Sequence, residues 1–155
     1  MKQHSKQKGF TIIEVVLVLA IAALIFLVVF LAVPALQRSQ RDTQRRSDMG
    51  RLQTAITNYA GNHQGTLPTV DAAFATKYLN ASGDKWEDPK VGAYVLTNVA
   101  APGIPLATLW SDTASNVNYR AGVKCNTNGS TAPGGARQFA IQIVLESNDL
   151  YCVSN

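Results

Sequence analysis

The chain is 155 residues long, 46% hydrophobic and only 15% charged, with a formal charge of +4. That charge is local: Lys2, Lys6 and Lys8 lie within the first nine residues, and the remainder carries 11 basic and 10 acidic side chains, a balance of +1. A near-neutral body gives no electrostatic basis for binding nucleic acid, and its length supports one modest core. The order of residues holds no nucleophile, base and orienter set, no phosphate loop and no metal-ligand cluster, so it implies neither an enzyme nor a cofactor. His63 is the only histidine beyond the first nine residues, and its neighbours read as a loop.

The most informative stretch is Lys8-Gly9-Phe10-Thr11-Ile12-Ile13-Glu14, which opens an apolar run. From Val15 to Ala35 there is no charge and no strongly polar side chain, enough to cross a bilayer as a helix at about 1.5 Å per residue. An ionised Glu14 at the edge of such a run costs free energy without a partner, and the partner need not be in the same chain. Ala20-Ile21-Ala22 matches a signal-peptidase pattern, but cleavage there would leave more than ten apolar residues at the new terminus. A plain single-pass anchor would rarely place an acid inside the apolar boundary.

This segment resembles the N-terminus of type IV prepilins and pseudopilins. A short basic leader ends at Gly9, then come Phe10, the small polar Thr11, Ile12-Ile13, Glu14 and the hydrophobic helix. The resemblance implies that a prepilin peptidase cuts between Gly9 and Phe10 and that the new Phe10 amine is methylated. It also implies that Glu14 pairs with the free amine of a neighbouring subunit during assembly. Opposite charges attract far more strongly in a low-dielectric environment, so a mismatched register would strand a charge. Arg38, Arg41, Arg45, Arg46 and Arg51 follow the apolar run and outnumber the three leader lysines. The positive-inside count therefore does not favour a cytoplasmic N-terminus, and the N-in orientation rests on the resemblance.

The resemblance also implies an organisation: leader 1–9, transmembrane and assembly helix 10–36, amphipathic second half 37–61, and a globular head 62–155. Pro34 cannot donate to the carbonyl of Phe30 and crowds it, so a kink or local melting is expected there. Beyond it, Met49, Leu52, Ile56 and Tyr59 recur at spacings of three, four and three, which makes one apolar stripe. Arg38, Arg41 and Arg45 project along nearly the same face. The expectation is that the head does not take hold much before Met49 and that this cationic stretch stays wet, meets headgroups or meets a neighbour. Asp42 and Asp48 relieve some of that charge at helical spacings. Gly61-Asn62 should end the helix, with Gly65 and Pro68 in the loop beyond.

In the head, Val70 to Leu79 reads as a short helix with Phe74 and Tyr78 one turn apart, broken by Asn80 to Asp84. Strand signals fall at Ala93–Leu96, Asn118–Lys124, Gln138–Glu146 and Leu150–Val153, the third with Phe139, Ile141, Ile143 and Leu145 on one face. The predicted fold is α+β: a long N-terminal helix on a small antiparallel sheet of about four strands, the pilin fold. In the resembling pilins a C-terminal cysteine pair closes a loop near the chain end, and Cys125 and Cys152 are placed correspondingly; two free thiols are the alternative. The enclosed stretch from Asn126 to Ala136 is polar, glycine-rich and expected to be mobile. Asn80-Ala81-Ser82 and Asn128-Gly129-Ser130 match a glycan acceptor pattern too short to carry weight.

The function implied by the resemblance is a structural pilus subunit for motility, adhesion or DNA uptake. Its partners would be other copies of itself and related pilins, prepilin peptidase, the assembly platform with its ATPase, and the inner membrane before assembly. Trp86-Glu87-Asp88-Pro89 faintly matches a pseudopilin pattern, and a calcium site using acids such as Asp88 and Asp149 would favour that relative. A membrane-tethered binding module that never polymerises is the reading from a different class.

Overall fold

The computed structural model describes residues 9–80, 83–99 and 116–155. The leader lysines, Ala81-Ser82 of the first acceptor pattern and the stretch from 100 to Trp110 lie outside these residues. The chain divides into two units, Met1–Gln37 and Arg38–Asn155. Helix α1, Ile12–Asn62, contributes its first part to one and its second part to the other, and its helical assignment runs through Pro34.

In the first unit α1 is exposed nearly throughout, from Ile12 through the phenylalanines Phe26 and Phe30 to Leu36. It is long and apolar enough to cross a membrane. No local melting accompanies Pro34: its carbonyl-side neighbours keep helical geometry.

In the second unit α1 buries the expected stripe: Met49, Leu52 and Ile56 are fully inaccessible, and Tyr59 packs at the margin of the core. The helix ends at Asn62, as expected, and the chain reverses two residues later. There Gln64 and Gly65 take left-handed backbone angles, φ 58° and 85°, and the Gly65 N–H donates to the Ala60 carbonyl at 2.7 Å. The short helix is α2, Ala72–Tyr78, capped by Asp71, whose carboxylate accepts from the Phe74 N–H at 2.8 Å. Phe74 and Tyr78 meet Tyr59 edge-on at ring separations of 6.0 and 5.9 Å.

Among the described residues eight strands follow: β1 Glu87–Asp88, β2 Gly92–Ala93, β3 Val95–Asn98, β4 Asn116–Ala121, β5 Val123–Cys125, β6 Thr131–Pro133, β7 Phe139–Val144 and β8 Leu150–Ser154. The main sheet has four strands in the order β3-β4-β7-β8. It is mixed, because β3 pairs with β4 in parallel while β4-β7 and β7-β8 are antiparallel. A parallel pair needs a crossover of a dozen residues or more, and residues 99–115 separate β3 from β4 in the chain. Two predicted strands are divided. Ala93–Leu96 is interrupted at Tyr94, which separates β2 in one sheet from β3 in another. Asn118–Lys124 breaks at Gly122, where φ of 74° turns the chain from β4 into β5.

The core lies between the stripe on α1 and the inner face of β4 and β7, where Val117, Tyr119, Phe139, Ile141, Ile143 and Leu145 are all buried. Strand β7 is covered on both faces, since Ala140 and Gln142 are buried as well. Their cover includes the β5–β6 hairpin, so the stretch from Asn126 to Ala136 is a paired and anchored element where a mobile loop was expected. Inside this core the Tyr119 hydroxyl has no hydrogen-bond partner among the described residues. An unsatisfied buried hydroxyl keeps its desolvation penalty without a compensating bond. Tyr119→Phe should therefore raise the unfolding free energy, by about 1 kcal/mol on that argument, read by denaturant unfolding against the unaltered chain.

Candidate functional site

The N-terminal motif is built by the start of α1. Gly9, Phe10 and Thr11 precede the helix, and Phe10 is 87% exposed. Thr11 acts as the N-cap: its carbonyl accepts from the Val15 N–H at 3.3 Å, and its hydroxyl donates to Glu14 Oε2 at 3.4 Å. Thr11-Ile12-Ile13-Glu14 thus has the S/T-x-x-E spacing of a capping box, a local role for the acid that reading it only as an assembly charge missed. Glu14 is exposed, and among the described residues no cation lies within ion-pair distance of it.

The second unit holds a buried ionic cluster where the sequence suggested a wet cationic face. Arg45 is fully buried. Its Nε and Nη2 donate to the two oxygens of Asp88 at 2.6 and 3.1 Å, its Nη1 to Asp42 at 3.0 Å, and its Nη2 to Glu146 at 3.1 Å. Arg41 makes a bidentate bond to Glu146, both contacts at 2.7 Å. The hold of the sheet on α1 therefore begins near residue 41, two turns before Met49. Burial was misjudged because the partners of Arg45 lie 43 and 101 positions away in the chain. Arg38 is exposed, as expected of it.

Asp42 closes the cluster from the other side. Its two oxygens accept from the backbone N–H groups of Glu146 and Ser147, at 2.8 and 3.3 Å, and so bind the β7–β8 turn to the helix. Nearly two turns along, Asp48 is buried as well: its carboxylate accepts from the Tyr94 hydroxyl at 3.0 Å and its carbonyl from the Trp86 indole at 3.1 Å. The Trp86–Pro89 stretch, read as a faint pseudopilin signal, thus docks on α1. Asp88 spends its oxygens on Arg45 and on the N–H groups of Lys90 and Val91. Among the described residues it is not grouped with Asp149, which lies in the β7–β8 turn, as a cluster of metal ligands.

The electrostatics follow from these contacts. Bonds from Arg41, then from Arg45, hold the Glu146 carboxyl down at about 2 against the pull of burial. Burial alone would raise Asp88, but Arg45 and the two backbone donors outweigh it and the group is lowered. Burial also disfavours the charge on Arg45, yet its three carboxylates more than offset that and strengthen its cationic form. Asp48 goes the other way, raised mainly by burial.

Cys125 and Cys152 form a disulfide with Cα atoms 5.8 Å apart, joining β5 to β8. The Gln142 side chain, opposite Cys152 in the β7–β8 register, donates to the Gly129 carbonyl at 2.5 Å and pins the hairpin tip. Gly129 has φ of 78°, and a Cβ there would collide with the Leu150 carbonyl. In the second acceptor pattern, Asn128 Oδ1 accepts from both the N–H and the hydroxyl of Ser130. His63 stacks on Tyr59 at 3.8 Å. Sequence reasoning did not single out Gln142, whose polar character in an apolar strand was the available signal.

Compared with known proteins, residues 4–30 match the family described as the prokaryotic N-terminal methylation motif, the leader signature of type IV pilins and pseudopilins. No curated protein and no solved structure matches the chain.

Two outcomes follow from this geometry. The folded value of Glu146 lies below the ordinary 4.5, so its stabilisation is complete above that pH and is lost as pH falls toward 2. Asp48 has the opposite sign, so the contribution of Glu146 is read as the difference between the unaltered chain and Glu146→Gln in denaturant unfolding across that range; the two curves should converge in acid. Removing the disulfide as Cys125→Ser/Cys152→Ser should lower the unfolding free energy by about 3 to 4 kcal/mol in the chain-entropy picture, measured the same way at neutral pH.

Proposed function

We propose that this chain, carrying the N-terminal methylation motif, is a structural subunit of a type IV pilus. The observation that carries the reading is the match of residues 4–30 to that motif, continuous with an exposed apolar helix. In this reading the precursor is a single-pass inner-membrane protein with its leader in the cytoplasm. A prepilin peptidase cuts between Gly9 and Phe10, the new Phe10 amine is methylated, and an assembly platform driven by its ATPase moves the subunit into an extracellular fibre. Its neighbours there are further copies of itself and related pilins.

The physical case rests on two features. An exposed apolar helix needs lipid or other helices around it, and both the membrane and a fibre interior provide them. Glu14 can trade its bond to Thr11 for the amine of a neighbour, a far stronger interaction once water is excluded. The Cys125–Cys152 disulfide is the feature that favours a pilin over a pseudopilin.

Protein sheared from intact cells should begin at methylated Phe10 by mass spectrometry. Glu14→Ala should still be cut and folded, yet be reduced at least about tenfold in the sheared fraction if its ion pair with the amine contributes 1.4 kcal/mol or more. A chain found only in membranes and still beginning at Met1 would leave a tethered module instead.

A further inference from the structure

Two patterns run along the second part of α1. One is the apolar stripe Met49, Leu52, Ile56 and Tyr59. The other is a line of charges, Asp42, Arg45, Asp48 and Arg51, spaced uniformly by three with alternating sign. We infer that the alternating charges hold the sheet at one axial position on α1, with Arg45 as the positioning residue. This goes beyond the filament reading and does not depend on it.

The apolar stripe alone does not forbid a slip. Advancing the helix by three residues, about 4.5 Å, puts Leu52, Ala55 and Tyr59 where Met49, Leu52 and Ile56 sit, and leaves apolar groups in the core. The charges do forbid it. That slip places Asp48 in the position of Arg45, against the carboxylates of Asp88 and Glu146. It also places Arg45 in the position of Asp42, where the N–H groups of Glu146 and Ser147 need an acceptor. Slipping three residues the other way sets Asp42 against the same two carboxylates.

Longer slips fail for the complementary reason. A slip of four sets Met49 against Asp88 and strips that buried carboxylate of its cation. A slip of six restores the sign, with Arg51 replacing Arg45, but swaps Met49, Leu52 and Ile56 for Ala55, Asn58 and Asn62. The two periodicities coincide at one register only. The remaining charged and titratable groups facing this line fit the same register: Arg41 on Glu146, the Tyr94 hydroxyl on Asp48 and Asp84 on Arg51. A buried ionic cluster that roughly breaks even in stability gains its use from specificity of this kind.

The test uses the full chain in detergent micelles and reads NMR cross-relaxation from the Trp86 indole N–H, which bonds the carbonyl of residue 48. The variant Arg41→Gln/Asp42→Asn/Arg45→Met/Asp88→Asn/Glu146→Gln removes the cluster without leaving a lone charge. It should fold, with the contact to residue 48 reduced to about half and a new contact at residue 51, as for two registers of similar free energy. A single native set of contacts in this variant would overturn the inference. Should it not fold, Arg45→Asp/Asp88→Arg decides. It keeps one cation among three carboxylates, but a cation at position 88 accepts the acid at 45 or that of Asp48 equally. Two registers are again expected, and one native register overturns the inference. Failure of both variants to fold would assign the cluster to stability and overturn it equally.

Discussion

The fold of the second unit depends on how one cation, Arg45, is buried. A guanidinium out of water is costly unless its donors are met and its charge is balanced. Here the partners come from three places: Asp42 one turn back on the same helix and, far away in sequence, Asp88 on β1 and Glu146 just beyond β7. Because each carboxylate also accepts from elsewhere, the cluster draws backbone with it. Asp88 orders the turn through Lys90 and Val91, and Asp42 orders the turn through Glu146 and Ser147. The apolar core supplies the driving force for burial, and the ionic cluster decides which backbone segments meet at the helix.

What the sequence made legible follows from what local order encodes. The methylation motif, the apolar run and the stripe from Met49 to Tyr59 are periodic or contiguous, and each was readable residue by residue. Alternation along Phe139 to Leu145 was equally plain, because one face of β7 carries only apolar groups. The fate of the arginines was not, because burial of Arg45 also requires Asp88 and Glu146, acids 43 and 101 positions away in the chain. The uniform spacing of Asp42, Arg45, Asp48 and Arg51 was visible, but on a lone helix such pairs stabilise locally and read as surface.

The strand breaks have a similar cause. Tyr94 belongs by composition in a continuous strand from Ala93 to Leu96, but its hydroxyl reaches buried Asp48, and the pairing changes on either side of it. Gly122 reads as a weak point within Asn118–Lys124 and acts as a corner, since its left-handed backbone lets β5 leave the main sheet. The parallel pairing of β3 with β4 has no local signature at all. It depends on the length of the intervening chain, and that length is equally compatible with an antiparallel return.

The β7–β8 hairpin joins these constraints. Its turn end is held to α1 by Asp42, Arg41 and Arg45, so the turn cannot move without stranding buried charge. Its open end is held by the disulfide from Cys152 to β5 and by Asn155. The Asn155 side chain accepts from the Phe139 N–H at 3.0 Å and donates to the Arg137 carbonyl at 3.0 Å. Midway, Gln142 reaches the tip of the second hairpin. The chain's last residues therefore close the structure instead of trailing from it. A covalent bond and an ion cluster at opposite ends of one hairpin guard against different failures. The disulfide limits the open chain whatever the pH, while the cluster enforces register only while its carboxylates stay ionised.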